Sequence, residues 1–217
     1  MKQVRVSGYS ISSDGFAAGP SQSLESPLGI KGEELHRWLK STQTFMRMIG
    51  EQGGTTGVDD RHLQAAHDGI GAWVMGRNMF GPVRGEWPDH NWRGWWGENP
   101  PYRTPVYVLT HHARPSLEME GGTVFHFVTD GPDAALERAR ADAGDADVGI
   151  AGGAATIRHY LAAEMIDELH LAVVPVLLGA GEHLFENLNL PKLNYAIERC
   201  EAGEHATHLI LRHSKHR

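Results

Sequence analysis

The chain has almost no cysteine. Cys200 stands alone among 217 residues, so neither an intramolecular disulfide nor a cysteine-based zinc site can form, and its thiol is expected to sit inert within a strand. An excess of positive charge is also missing: 20 Lys and Arg against 27 Asp and Glu leave a formal charge of −7. That balance excludes the broad basic surface needed to neutralise nucleic-acid phosphates. No apolar run reaches the roughly eighteen residues of a membrane span, and the first residues lack the apolar core of a signal peptide. The expected location is the cytoplasm, with neither membrane nor nucleic acid as a partner.

Several catalytic signatures are missing too. There is no G-x-x-x-x-G-K-[ST] loop, no G-x-G-x-x-G fingerprint with its acidic partner, no H-E-x-x-H, and no G-x-S-x-G around Ser7 or Ser10. Nucleoside-triphosphate hydrolysis, an ordinary Rossmann dehydrogenase and a serine hydrolase therefore lack support. His62 and His67 miss the helical i,i+4 spacing of a metal pair, while His205, His208, His213 and His216 are scattered along a strand and tail, so no metal site is expected.

What remains is the pattern of one enzyme-sized α/β domain over residues 1–217. Strands are expected at Val4–Ile11, Ala72–Met75, Val106–Thr110, Val124–Val128 and Leu169–Leu177, with a final pair at Tyr195–Cys200 and His205–Arg212. Leu35, Trp38, Leu39, Phe45, Met46 and Ile49 recur at helical spacing, which predicts one amphipathic helix over about Glu33 to Ile49. Asp59 or Asp60 is a candidate cap for a helix through about His67, and Asp130-Gly131-Pro132-Asp133 reads as the entry to a further helix through about Ala143. Such alternation predicts a mostly parallel central sheet covered on both faces, finished by an antiparallel C-terminal edge.

The most informative stretch is Val148-Gly149-Ile150-Ala151-Gly152-Gly153-Ala154-Ala155-Thr156-Ile157-Arg158, a short strand running through a glycine pair into a helical pattern. Small residues let a backbone approach a diphosphate, and the helix start offers unpaired N–H groups and a positive dipole end. Gly-Gly also serves merely to turn a corner at many βα junctions. Two other strands end in similar fashion: Trp73-Val74-Met75-Gly76-Arg77-Asn78 and Val106-Tyr107-Val108-Leu109-Thr110-His111-His112.

Together with Val4–Gly15 and the tail Pro175-Val176-Leu177-Leu178-Gly179-Ala180-Gly181-Glu182-His183-Leu184-Phe185, these segments resemble the dihydrofolate reductase superfamily. The nearest branch is the reductase domain of the riboflavin-biosynthesis deaminase-reductase. The resemblance implies a dihydrofolate reductase-like three-layer α/β fold, interrupted by insertions near 20–60 and 82–104. It implies NADPH as cofactor and a homodimer as assembly. It also implies a cis peptide at Gly152-Gly153, with both glycines against the diphosphate and Ala154, Ala155 and Thr156 donating from the helix start. Gly76, Arg77 and Asn78 match the segment that follows the second strand, where the arginine contacts the adenosine-side phosphate; a surface salt bridge is the alternative role for Arg77. Thr110 and His111 match the surroundings of the adenine ribose and its extra phosphate. Ser10 matches the nicotinamide end, and Ala17, Ala18 and Gly19 match a mobile loop over the reacting ring.

Substrate recognition has thinner support. The family places a carboxylate in its first helix, which makes Glu34 the candidate proton donor with His36 nearby; Asp14 is the other catalytic candidate unless it only orients the first loop. Trp87, Trp92, Trp95 and Trp96 put four of the six tryptophans into ten residues. Trp95 and Trp96 are the candidates for a wall that stacks on a planar substrate, with a subunit anchor or local core packing as alternatives. The expected activity is hydride transfer from NADPH to a small pterin- or pyrimidine-like heterocycle. The alternatives are the riboflavin-pathway reduction of 5-amino-6-(5-phosphoribosylamino)uracil and a non-catalytic NADPH sensor.

Overall fold

Alternating apolar strands and amphipathic helices assemble into a nine-stranded sheet in the structure, a computed structural model that describes residues 2–81, 85–87 and 91–216. The strands are β1 (Val4–Ser12), β2 (Ile70–Gly76), β3 (Pro105–Leu109), β4 (Leu117–Glu118), β5 (Val124–Val128), β6 (Asp147–Gly152), β7 (Glu168–Val174), β8 (Tyr195–Ala202) and β9 (Thr207–His213). Their spatial order is β4-β5-β3-β2-β6-β1-β7-β9-β8. From β5 across to β7 every pairing is parallel, and β9 with β8 forms the antiparallel C-terminal edge. The short β4, antiparallel to β5 at the opposite edge, has no counterpart among the sequence expectations.

The central strands are apolar on both faces because both are covered. On one face α5 (Pro132–Ala143) and α6 (Ala154–Ala162) lay Leu136, Ala139, Ile157, Tyr160 and Leu161 against Val74, Val148 and Ile150. Pro132 starts α5, and its buried Ala135, Leu136, Ala139 and Ala143 recur at helical spacing. Trp73 and Met75 point the other way along β2, where they pack with Phe80, Val108 and Phe125 beneath Trp87 and Trp92. Toward the C-terminal edge of that second face, Leu35, Trp38 and Leu63 cover Ala172, Val174 and Ala206.

The single helix expected over 33–49 is instead a 3-10 turn, Gly32–His36, followed by α1 (Arg37–Lys40) and α2 (Gln43–Met48). Thr42 makes the break: its backbone is extended, at φ −82° and ψ 152°, and its hydroxyl accepts the Phe45 N–H at 3.1 Å to cap α2. The next helix, α3 (Val58–Ala65), is not capped by Asp59 or Asp60. Glu204 reaches across to accept the N–H groups of Val58 and Asp59 at 3.1 and 3.0 Å, which frees the Asp59 side chain to turn inward. The strand expected to reach Leu177 ends at Val174, and Cys200 lies on β8 with its side chain exposed. Among the described residues no helix is long and apolar enough to cross a membrane.

Candidate functional site

Parallel strands deliver their carboxyl ends to one edge of the sheet, the place where open α/β sheets bind ligands. Met75 of β2 pairs with Gly152 of β6 on one side, Met75 and Gly76 pair with Val108 and Leu109 of β3 on the other, and β1 pairs with β6 at Val4 and Arg5 and with β7 as far as Ser12. Four of the sequence motifs, distant along the chain, thus meet on adjacent strands.

At the centre is the junction of β6 and α6. The Gly152-Gly153 peptide is cis. A Cβ on Gly152 would lie 2.8 Å from Tyr9 Cε2, so the Tyr9 ring packs directly beneath the turn. A Cβ on Gly153 would meet nothing within 4 Å, so the other side of the turn is open. No side chain caps α6, which leaves the N–H groups of Ala154, Ala155 and Thr156 at its start available to an anion. Gly76 is needed for the approach of β2 to α6, because a Cβ there would stand 2.6 Å from Thr156 Oγ1.

Arg77 opens the short α4 (Arg77–Phe80). Its guanidinium lies 3.7 Å over the Trp87 ring and donates to the carbonyl oxygens of Gly85 and Glu86, yet its Nε is buried without a partner. Burial lowers its pKa. Asn78 lines a cavity of about 360 Å³ together with Gly19, Pro20, Ser21, Gln22, Gly181 and Glu182. Beyond β3, Thr110 is buried and its hydroxyl accepts the His112 N–H at 3.1 Å, while His111 is exposed. Open space over Gly153 and uncapped helical N–H groups are features a dinucleotide diphosphate requires, so this turn fits such a cofactor, while the Arg77 guanidinium is turned to Trp87 and to the Gly85 and Glu86 carbonyls.

The first-strand side departs from expectation. The Ser10 hydroxyl is buried and accepts Trp38 Nε1–H at 2.8 Å, so its side chain is turned to the helix layer. Ala17 and Ala18 are tied into the chain. Both are buried, with Ala17 N–H donating to the Glu182 carbonyl at 2.8 Å and Glu182 N–H to the Ala18 carbonyl at 2.9 Å. The small residues serve chain packing: a Cβ on Gly19 would collide with the Ile30 carbonyl, and one on Gly181 with the Ala18 carbonyl.

Neither candidate proton donor is placed for that role. Asp14 accepts from Ser12 Oγ at 2.6 Å, Leu178 N–H at 3.1 Å and Gly179 N–H at 2.7 Å. These bonds, the serine's foremost, hold its carboxyl down at about 2, so it stays ionised and anchors the loop after β7. Glu34 is exposed on a 3-10 turn whose inward side chain is Leu35. His36 is half-buried beside it, and burial with nearby Lys40 pushes its imidazole down to about 4.

The tryptophans divide. Trp87 and Trp92 pack on the core around Phe80, their indole N–H groups donating to the carbonyls of His112 and Phe80 at 2.8 and 2.9 Å. Trp95 donates to the Asn78 carbonyl at 3.2 Å and so stands behind a cavity-lining residue, while Trp96 is 39% exposed with Phe45 6.4 Å from it. Pro88, Asp89 and His90 of this insertion lie outside the described residues.

Two features escaped the sequence reading. Among the described residues Glu182 is the one ionisable side chain lining the cavity, and the only hint of it was its place just after Gly181 in the tail motif. The spacing argument against a metal site also overlooked His62, His170 and His208, all buried, which the fold gathers so that one nitrogen of each lies within 4.8 Å of the others.

This architecture, a mostly parallel sheet with antiparallel edges and a glycine turn at its carboxyl edge, is that of a dihydrofolate reductase-like protein. The chain belongs to the RibD C-terminal domain family, which matches residues 6–209. Among solved structures it is similar to a Shewanella sp. PV-4 protein provisionally named a riboflavin biosynthesis protein, at 20% identity and a TM-score of 0.57, with 96% of each chain covered. None of the curated proteins matches it. Membership of the family supports a reductase-like activity of the riboflavin-pathway kind.

Proposed function

We propose that the chain is an NADPH-dependent reductase that transfers hydride to a small pterin- or pyrimidine-like heterocycle, and that the aminopyrimidine of the riboflavin pathway is the first substrate to try. The observation that carries this reading is the open space over Gly153 at the uncapped start of α6. When bound, the cofactor supplies hydride from C4 of its nicotinamide. The first N–H groups of α6 would hold the diphosphate. Arg77 would grip the extra phosphate with a planar fork, which favours NADPH over NADH. Glu182 brings a carboxyl to the cavity lining and is the candidate for the part that Glu34 and Asp14 do not fill.

The same absence of a placed Glu34 or Asp14 favours a second reading, an NADPH-binding sensor without turnover. Cofactor oxidation measured against aminopyrimidines, dihydropterins and quinonoid compounds separates the two. Turnover of any member supports the reductase. Tight NADPH binding with no turnover across the panel supports the sensor, and no NADPH binding at all overturns both. Sedimentation in the same samples tests the homodimer that the family resemblance implies.

A further inference from the structure

At the C-terminal end of the sheet, His170 on β7, His208 on β9 and Asp59 on α3 form a buried chain whose hydrogen bonds run in one direction. The backbone N–H of Gly8 can only donate, so His170 Nδ1, 3.0 Å away, is an unprotonated acceptor. Neutral His170 therefore carries its proton on Nε2 and donates to His208 Nδ1 at 3.0 Å. His208 in turn carries its proton on Nε2 and donates to Asp59 Oδ1 at 2.8 Å, while Asp59 Oδ2 accepts the His205 N–H at 2.8 Å. An amide at one end and a carboxylate at the other fix both tautomers. A further proton on either ring would set two N–H groups against each other, and a cation approaching His170 Nε2 would meet a proton already there.

The chain ends on a bulge. Gly8 has φ +64°, and the pairing of β1 with β7 slips between Val6 and Tyr9. A bulge re-aims the side chains that follow it, here Tyr9, whose ring packs under Gly152. A second route joins the same elements: the Trp38 ring stands edge-on to His208, with centroids 5.1 Å apart, and its Nε1–H holds Ser10 Oγ.

We propose that His170 is a positioning residue for the cofactor cleft: the one-way chain from Gly8 through His170 and His208 to Asp59 holds the β1 bulge that seats Tyr9 beneath the Gly152-Gly153 turn. This rests on the reading of that turn as the cofactor site. The charged and titratable groups around the chain come from every neighbouring element. His62 of α3 stacks on His208 with centroids 3.9 Å apart and meets Glu201 of β8 at 3.0 Å; Arg61 of α3 pairs with Glu201 at 2.7 Å; Arg199 lies on β8; and Glu204 holds the start of α3. Burial first, then His62, His208 and Arg199, push His170 down to about 3, and burial also lowers His62 and His208, the latter against the pull of Asp59. A histidine whose folded pKa lies below its ordinary 6.5 binds fewer protons folded than unfolded. Its stability contribution is intact above pH 6.5 and is lost as pH falls toward the folded value. For one such histidine the folding constant drops about thirtyfold between pH 7.5 and pH 5.

The test has two readouts on the full-length chain. Histidine side-chain ¹⁵N spectra at pH 7.5 should show His170 and His208 both neutral with the proton on Nε2, whether or not the protein binds a cofactor. Other tautomers, or shifts of these rings that saturate on titration with zinc, overturn the chain. The second readout is NADPH affinity. His170→Leu removes the acceptor for Gly8 and should weaken NADPH about tenfold or more, the scale on which a remote displacement acts. His170→Asn, whose amide oxygen can still accept from Gly8, should restore most of that loss. Asp59→Asn keeps the shape but offers one oxygen to two donors, His208 Nε2–H and the His205 N–H, so it should perturb the His208 ¹⁵N signals and weaken NADPH by a smaller factor; it serves also if His170→Leu fails to fold. Folded variants with altered His208 signals and wild-type NADPH affinity overturn the positioning role. Wild-type protein with the expected tautomers and no NADPH affinity overturns the cofactor reading and this role with it, while leaving the chain itself standing.

Discussion

Two glycine segments flank the cleft, and they use glycine for opposite reasons. At Gly153 the missing side chain leaves room that no described atom fills, since a Cβ there would meet nothing within 4 Å, although its neighbour Gly152 is closed by Tyr9. At Gly181 the room is taken, since a Cβ there would collide with the Ala18 carbonyl, while the neighbouring Gly179 is open on its Cβ side and its N–H is held by Asp14 at 2.7 Å. Space left open at a strand-end turn can admit a ligand, whereas space closed by the chain itself serves packing. Both motifs read alike as glycine-rich turns in the sequence, and only the neighbours tell them apart.

The sharpest way to break this contrast is to add side chains to both turns. Gly181→Val forces a β-branched residue into φ +129° and into the Ala18–Gly19 backbone, so about 3–5 kcal/mol of stability should be lost in chemical denaturation. A variant as stable as wild type would show that the tail loop is not packed as described. Gly153→Val should act the other way round. It should still fold, as judged by circular dichroism, and lose NADPH binding more completely than any single side-chain truncation in the cleft. A folded Gly153→Val protein with unchanged NADPH affinity would remove the cofactor from this turn. Arg77→Ala comes next, with NADPH weakened by roughly 1.5–3 kcal/mol, the range for a charged hydrogen bond, and NADH barely affected. Equal losses for the two cofactors in a titration would take the extra phosphate away from Arg77.

Acid offers a smaller effect confined to the closed turn. Asp14 is held at about 2 against an ordinary 3.8, so its contribution is present above pH 3.8 and lost as pH falls through about 2. Asp14→Asn should therefore flatten the part of the acid-unfolding curve between those two values and leave the slope from pH 6.5 downward, which the buried histidines set. An unchanged curve below pH 3.8 would mean that Asp14 does not anchor the Leu178–Gly179 loop.

The meeting of these strand ends at one edge of the sheet was legible because each strand ends on a local signal. Gly76-Arg77, Thr110 and Gly152-Gly153 all mark the place where an apolar run stops, and parallel pairing then carries them to one edge. The helix over 33–49 was misread because apolar spacing continues across Thr42, whose cap depends on one hydroxyl turning back to Phe45. The histidine chain was invisible for a different reason. His62, His170 and His208 come from α3, β7 and β9, and a spacing rule for one helix cannot see neighbours made by sheet pairing, in which Ala172 faces His208 and Ile210 faces His170. Glu34 failed as proton donor because helical register decides which side chains face inward, and there Leu35 and Trp38 took the sheet side.

The rim of the cavity supplies the finest test, since Asn78 lines it alongside Gly181 and Glu182 while Trp95 stands behind Asn78 and Trp96 is 39% exposed. If the insertion serves the substrate, Trp96→Ala should leave NADPH affinity unchanged and weaken a planar heterocycle by about 1 kcal/mol, the low end of base stacking, because a partly exposed ring offers one face. Trp95→Ala should shift the Asn78 backbone and lower turnover instead, again without touching NADPH. Sedimentation run on the same samples separates a stacking wall from a subunit anchor: dissociation on Trp96→Ala assigns the ring to assembly. Unchanged activity, ligand affinity and assembly in both variants would reduce the whole insertion to what Trp87 and Trp92 already do, which is to cover Phe80 and the outer face of β2 and β3.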